Sequence, residues 1–84
     1  MTKEQVFQVL KKYIMEQLED EVDEKDIVIT KSMLDLGANS LDIVEIVSNT
    51  MRELKIKIPR DELAKINTME GLVEKMAEYT NMQS

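Results

Sequence analysis

The segment Leu34-Asp35-Leu36-Gly37-Ala38-Asn39-Ser40-Leu41-Asp42 predicts where an irregular stretch of chain ends and a helix begins. Gly37 can adopt the positive φ that a tight turn needs, and Asn39 is a favourable N-cap residue for a helix starting at Ser40. Beyond the segment, an arc of about 100° on a helical projection holds Ile43, Ile46, Val47, Thr50 and Leu54. The sequence therefore predicts an amphipathic helix from about Ser40 to Leu54 that buries one face.

Upstream of this segment, the sequence predicts another long helix followed by a long loop. Thr2 and Gln5 form a capping-box pattern at the start of the helix, which we expect to run to about Leu18. The buried stripe of this helix is expected to contain Phe7, Leu10, Ile14 and Leu18, widened by Val6, Val9 and Tyr13. The loop extends to about residue 38 and is expected to be anchored in the core by Ile27, Ile29, Leu34 and Leu36.

Downstream, the single proline, Pro59, marks the next boundary. It favours a short helix over roughly Arg60 to Lys65. Thr68 is then expected to cap a last helix that ends near Tyr79, with residues 80 to 84 fraying. Strand signals are weak, because no Asn-Gly or Asp-Gly turn appears. The predicted fold class is all-α: a small four-helix bundle of three long helices and one short helix with a long first loop, forming a single domain over residues 1–84.

The composition of the 84-residue chain excludes several classes of function. The chain has no Cys and no His, so it lacks a thiolate nucleophile and the usual general base and metal ligand at neutral pH. A formal net charge of −6 disfavours nucleic-acid binding, which requires clustered cations. The composition therefore indicates a small acidic protein that acts by contacting partners, basic ones in particular.

The acidic run from Glu19 to Asp26 does not fit a calcium-binding loop. Val22 interrupts the alternating oxygen ligands that such a loop requires, and Lys25 stands where the sharp turn needs a glycine. We interpret the run as a solvated acidic loop and expect no metal site in the chain.

The predicted second helix carries more apolar surface than a bundle helix needs. Beside its core arc lies a second stripe formed by Leu41, Val44, Ser48 and Met51. Such a stripe either packs under the long loop or forms an exposed docking strip. Burial of one such side chain in a partner is worth roughly 1.5–3 kcal/mol, and Met suits surfaces that accept several partners. We favour the docking strip, because acidic residues flank it and would steer basic partners.

Ser40 is expected at the first turn of this helix, where free amides and the helix dipole favour a bound phosphate. It does not fit a catalytic nucleophile, because the Gly-x-Ser-x-Gly elbow and a histidine base are both absent. Two interpretations remain open on the residues alone. Ser40 is either a substrate for covalent modification or a simple capping residue.

The stretch from Leu36 to Asp42 resembles the attachment motif of acyl carrier proteins, usually written Leu-Gly-x-Asp-Ser-Leu, and the likeness extends to the layout of the whole chain. The resemblance implies that Ser40 carries 4′-phosphopantetheine, transferred from coenzyme A by a separate magnesium-dependent phosphopantetheinyl transferase. The protein would then be a carrier and not an enzyme, with no catalytic residues of its own. The arm ends in a thiol that holds acyl groups as thioesters for delivery to partner enzymes.

The same resemblance implies a partner-recognition surface around Ser40. Its expected members are Asp35, Asn39, Leu41, Asp42, Val44, Glu45, Ser48, Met51 and Arg52. Two positions depart from the fatty-acid carriers: Asn39 stands where they usually have Asp, and the turn around Arg52 is not acidic. We therefore expect docking to depend less on charge and more on Leu41, Val44 and Met51.

These departures, with Met51-Arg52-Glu53-Leu54 and Ile58-Pro59-Arg60-Asp61-Glu62-Leu63, resemble free-standing carriers of polyketide pathways. The nearest pattern is the donor carrier of β-branching cassettes. This implies an acyltransferase, a ketosynthase and a hydroxymethylglutaryl synthase-like enzyme as partners. The alternatives are a fatty-acid carrier, an aminoacyl or D-alanyl carrier, or a helical adaptor that uses the Leu41/Val44/Met51 strip without a prosthetic group.

The N-terminus lacks the basic and then hydrophobic design of a secretory signal, and no stretch approaches the length of a membrane span. We therefore expect a cytoplasmic protein that binds no membrane. We also expect a monomer, and the net charge of −6 argues against nucleic-acid binding.

Overall fold

The first helix, α1, spans Lys3–Leu18 and begins at the predicted capping box. The computed structural model, which describes residues 2–19, 22–66 and 68–82, places the Thr2 hydroxyl 3.2 Å from the Gln5 amide that it accepts from. The buried stripe is Val6, Leu10, Ile14 and Leu18. Phe7, predicted as a member of this stripe, is only half-buried. The four-residue spacing from Leu18 back to Val6 turns the Phe7 side chain to the edge of the buried face.

Three further helices complete the bundle: α2 over Ser40–Leu54, α3 over Arg60–Ala64 and α4 over Met69–Met82. Helix α1 packs against both α2 and α4. No strand occurs in the described ranges, and the all-α prediction of three long helices and one short helix is confirmed. Helix α4 continues past the predicted end near Tyr79 to Met82, so fraying from residue 80 was a wrong expectation for residues 80–82. Residues 83 and 84 lie outside the described residues.

The long loop between α1 and α2 contains two short 3₁₀ turns, at Glu24–Asp26 and Leu34–Leu36. Ile27 and Leu36 are buried as predicted, and Ile29 is partly buried. The prediction that Leu34 anchors the loop was wrong, because its side chain is 66% exposed. A 3₁₀ turn repeats every three residues, so Met33 and Leu36 share the buried side and Leu34 faces away from it.

The backbone of the loop also holds the start of α4. The Lys31 carbonyl accepts from the Met69 amide at 3.1 Å, and the Ile29 carbonyl accepts from the Glu70 amide at 2.9 Å. The first amides of a helix have no partner within the helix, so these bonds satisfy two of them and fix the loop on α4. These bonds place the end of the loop beside the start of α4.

Candidate functional site

Ser40 is exposed at the first position of α2, and the cap of that helix is its neighbour Asn39. The Asn39 Oδ1 atom accepts from the Asp42 amide at 2.9 Å, and Asp42 Oδ2 accepts from the Asn39 amide at 3.2 Å. This reciprocal pair is a capping box. The Ser40 hydroxyl therefore does not cap the helix, which removes the ground for the capping interpretation of this residue.

Asp42 connects the start of α2 to α1. Its Oδ1 atom accepts from Gln17 Nε2 at 3.0 Å, while its Oδ2 atom takes part in the capping box. The hydrogen bond from Gln17, followed by that from the Asn39 amide, lowers the pKa of the Asp42 carboxyl below its ordinary value. Asp42, predicted in the recognition surface, thus uses both oxygens within the protein and fixes the position of Ser40 relative to α1.

A tight turn delivers the chain to Ser40. Gly37 has φ of +95°, in the left-handed region that favours glycine, and its amide donates to the Leu34 carbonyl at 3.1 Å. Leu36 and Ala38 are buried on either side of it. Asp35 accepts from the Ser32 amide at 3.1 Å and remains exposed. Buried side chains therefore hold the turn on both sides of Gly37, and Ser40 follows two residues after Ala38.

The predicted apolar strip on α2 divides into two parts. Leu41 is 77% exposed and Val44 is 51% exposed, and the acidic Glu45 beside them is exposed as well. Ser48 and Met51 are half-buried and face a cleft. The first half of the strip is therefore exposed and not covered by the loop. The docking interpretation requires this exposure.

The cleft has a volume of about 550 Å³ and lies between α2, α3, the loop and the start of α4. Its apolar lining includes Met33, Ile43, Val47, Ile58, Met69 and Leu72. Val44 lines the cleft and is also exposed, so the cleft adjoins the turns of α2 that follow Ser40. Sequence reasoning missed this cleft, because its walls come from segments far apart in the chain. The one available signal in the sequence was the presence of two isoleucines, Ile58 and Ile66, on either side of the short helix.

The wall formed by α3 is held against α4 by one carboxylate. Glu62 Oε2 accepts a hydrogen bond from the Tyr79 hydroxyl, and Glu62 Oε1 pairs with Lys75 Nζ at 3.3 Å. The bond from Tyr79, followed by that from Lys75, lowers the pKa of the Glu62 carboxyl. Because α3 has only five residues, this contact with α4 helps to keep the cleft wall in place.

A third carboxylate joins α1 to the C-terminal half of α2. Glu53 Oε1 lies 2.5 Å from Lys12 Nζ and 2.6 Å from the Tyr13 hydroxyl. The bonds from Lys12 and then Tyr13 lower the pKa of the Glu53 carboxyl. Arg52, the neighbouring residue that was predicted in the recognition surface, is exposed.

The described residues contain no group of three or more His, Cys, Asp or Glu side chains that could hold a metal ion. Two members of the acidic run, Asp20 and Glu21, lie outside the described residues. None of the helices in the described ranges is both long enough and apolar enough to cross a membrane.

The chain is similar to known proteins over most of its length. The family described as "Phosphopantetheine attachment site" matches residues 8–76. An acyl carrier protein of Petrotoga mobilis is 34% identical over 83 residues, which cover 98% of this chain and 95% of that protein. An acyl carrier protein of Clostridium perfringens (strain SM101) is 36% identical over 76 residues, which cover 89% of this chain and 97% of that protein. The matched regions include the turn, α2 and the cleft.

Proposed function

Because this chain belongs to the acyl carrier protein family with a phosphopantetheine attachment site, we propose that Ser40 is the residue that carries 4′-phosphopantetheine. The protein is accordingly a carrier and not an enzyme. The proposal extends from Ser40 to the whole chain, with residues 1–84 acting as one carrier domain.

The observation that carries this proposal is the position of the Ser40 hydroxyl. Ser40 is exposed at the N-terminus of a 15-residue helix, while Asn39 supplies the cap. The side chain is therefore accessible to a transferase, and the amides and dipole at this end of α2 favour the phosphate that attachment would bring. When bound, the group supplies the thiol that this Cys-free chain lacks, and acyl groups are held on that thiol as thioesters.

We assign partner recognition to the surface around Ser40 that the sequence predicted. Leu41 and Val44 supply exposed apolar area, and Glu45 adds an exposed charge. Asn39 and Asp42 act by holding the start of α2 in position, because their polar atoms bond to each other and to Gln17. The remaining members of this surface are Asp35, Ser48, Met51 and Arg52. The phosphopantetheinyl transferase is the first partner of this surface.

The cleft is the site we assign to an acyl cargo. It opens beside the turns of α2 that follow Ser40 and is lined mainly by apolar side chains. An apolar cleft of this size removes hydrocarbon from water at a gain of roughly 0.8 kcal/mol for each buried methylene. Cargo in the cleft would also be shielded from solvent between visits to partner enzymes.

The finer function that we propose is a carrier of polyketide biosynthesis that serves a β-branching cassette. It is supported by the resemblance around Asn39 and Arg52, and Arg52 is exposed where a partner can reach it. Acyltransferase, ketosynthase and hydroxymethylglutaryl synthase-like enzymes would then be partners. Faster acyl transfer to a fatty-acid ketosynthase than to a hydroxymethylglutaryl synthase-like enzyme would instead support the fatty-acid carrier.

The attachment proposal is tested by incubating the apo-protein with coenzyme A, Mg²⁺ and a broad-specificity phosphopantetheinyl transferase, followed by intact-mass measurement. We expect a gain of one phosphopantetheinyl group in the wild type and none in Ser40→Ala. Thr30→Ala is the matched control, because Thr30 is an exposed hydroxyl residue of the loop, and it should be modified like the wild type. An unmodified wild type, or a modified Ser40→Ala, would refute the assignment.

A further inference from the structure

The cleft has an uneven distribution of polar groups. Most of its lining is apolar, three hydroxyl residues (Ser32, Ser48 and Thr68) also line it, and Arg60 is its only charged residue among those described. A pocket built in this way binds through its apolar area and obtains selectivity from its few polar groups. Arg60 is therefore the group with the largest capacity to discriminate between ligands.

Arg60 has no ion-pair partner among the described residues. Of the two acids that follow it on α3, Glu62 is already bound through both oxygens by Tyr79 and Lys75. Asp61 is exposed and pairs with no cation in the described part of the chain. In a chain with a net charge of −6, an arginine that lines an apolar cleft and has no ion pair among the described residues is available to an anion.

The backbone position of Arg60 is set by the rest of the fold. It occupies the first position of α3, immediately after Pro59, whose carbonyl accepts from the Glu62 and Leu63 amides at 3.1 and 3.2 Å. The Glu62 contacts with α4 then hold this short helix against the bundle. Arginine presents a planar fork of N–H donors that matches the two oxygens of a carboxylate, which gives geometric selectivity in addition to charge.

We propose that Arg60 is a specificity-determining residue that binds the terminal carboxylate of a dicarboxylic acyl group whose methylene segment lies in the cleft. The carrier thereby favours acyl groups with an anionic end over hydrocarbon acyl groups of the same length. This inference rests on the proposed function, because the acyl group reaches the cleft from Ser40.

The test compares two acyl groups that differ only at their ends. A transferase loads the apo-protein from glutaryl-coenzyme A, with the terminal carboxyl carbon labelled with ¹³C, or from pentanoyl-coenzyme A. NMR then follows the titration of the labelled carboxyl in the wild type, in Arg60→Met and in Lys65→Met. Lys65 is the matched control, because it is an exposed cation at the end of α3 that does not line the cleft.

We expect the pKa of the glutaryl carboxyl to be lower in the wild type than in Arg60→Met by at least about half a pH unit. Lys65→Met should titrate like the wild type. In addition, the Nε–H resonance of Arg60 should shift when glutaryl replaces pentanoyl on the protein. Added salt should reduce the difference between wild type and variant, because Arg60 is exposed.

Equal titration in wild type and Arg60→Met would overturn the proposal and show that the Arg60 stem only covers apolar surface. If Arg60→Met loses its helical circular dichroism, Arg60→Gln, which keeps a polar side chain, decides the question by the same titration. Failure to load Ser40 in the wild type would overturn the attachment proposal, and this inference with it. Successful loading with no effect of Arg60 would overturn this inference alone.

Discussion

Two neighbouring residues, Asn39 and Ser40, have separate roles at the start of α2. Asn39 supplies the capping oxygen and Ser40 supplies an exposed hydroxyl that the cap does not use. A serine that had to cap its own helix would lose part of its accessibility to a transferase. Separation of the two tasks therefore leaves Ser40 accessible without weakening the helix end.

We predict that Asn39→Ala lowers the free energy of unfolding by about 1 kcal/mol, because the Asp42 amide loses its acceptor. The measurement is urea unfolding followed by circular dichroism. Asn39→Asp should remain close to the wild type, because a carboxylate oxygen accepts the same bond and is favourable at a helix N-terminus. Equal stability of Asn39→Ala and the wild type would show that the cap contributes nothing.

Helix α2 packs one side into the core and exposes another side to solvent. Ile46, Val47 and Thr50 are buried, and the Thr50 hydroxyl is satisfied by donating to the Ile46 carbonyl at 2.7 Å. On the other side, Leu41 and Val44 are exposed. The exposed side chains make little contribution to folding, so their contribution to docking can be measured separately.

We predict that Leu41→Glu lowers kcat/KM for modification by the phosphopantetheinyl transferase by about tenfold or more, because a docking contact worth roughly 1.5–3 kcal/mol is lost. Its stability should stay near that of the wild type, since Leu41 is 77% exposed. Val28→Glu is the matched control, because Val28 is an exposed apolar residue of the loop and not of α2. An equal loss of kcat/KM in the two variants would indicate a general effect of the added charge and would contradict a specific contact at Leu41.

Among the carboxylates that connect the helices, three accept hydrogen bonds that lower their pKa. Asp42 and Glu53 bind α2 to α1, and Glu62 binds α3 to α4. The pKa of each carboxyl is lowered in the folded protein by these hydrogen bonds. The acidic groups of this chain therefore do more than provide a net charge, because some of them form contacts between helices.

This arrangement predicts a loss of stability in acid. A carboxyl whose pKa is lower in the folded protein contributes stability above its unfolded pKa and loses it as the pH falls through the folded pKa. The free energy of unfolding should therefore decrease as the pH falls below about 4.3, as measured by urea unfolding from neutral pH downward. Glu62→Gln should be less stable than the wild type at neutral pH and should show a smaller decrease in acid. A wild-type stability that does not change over this range would contradict the role of these contacts.

Much of the fold could be predicted from the sequence, because its signals are local. The Thr2 and Gln5 pattern, the break at Pro59 and the cap at Asn39 each involve residues within a few positions of one another. The burial of Phe7 and Leu34 was predicted less accurately, because small rotations of a helix or a 3₁₀ turn decide which side chain reaches the core. Apolar character alone does not contain that information.

Signals in the sequence specify the helices, the place of Ser40 at the start of α2, and the lack of a cysteine that could supply a thiol. These properties depend on composition, capping residues and periodicity, all of which act over short distances along the chain. Three features emerge only when the helices pack: the cleft beside α2, its single charged residue among those described, Arg60, and the contacts of Glu62 with α4 at its wall. The cleft and its contacts exist only where distant segments of the chain pack together, so no local pattern specifies them.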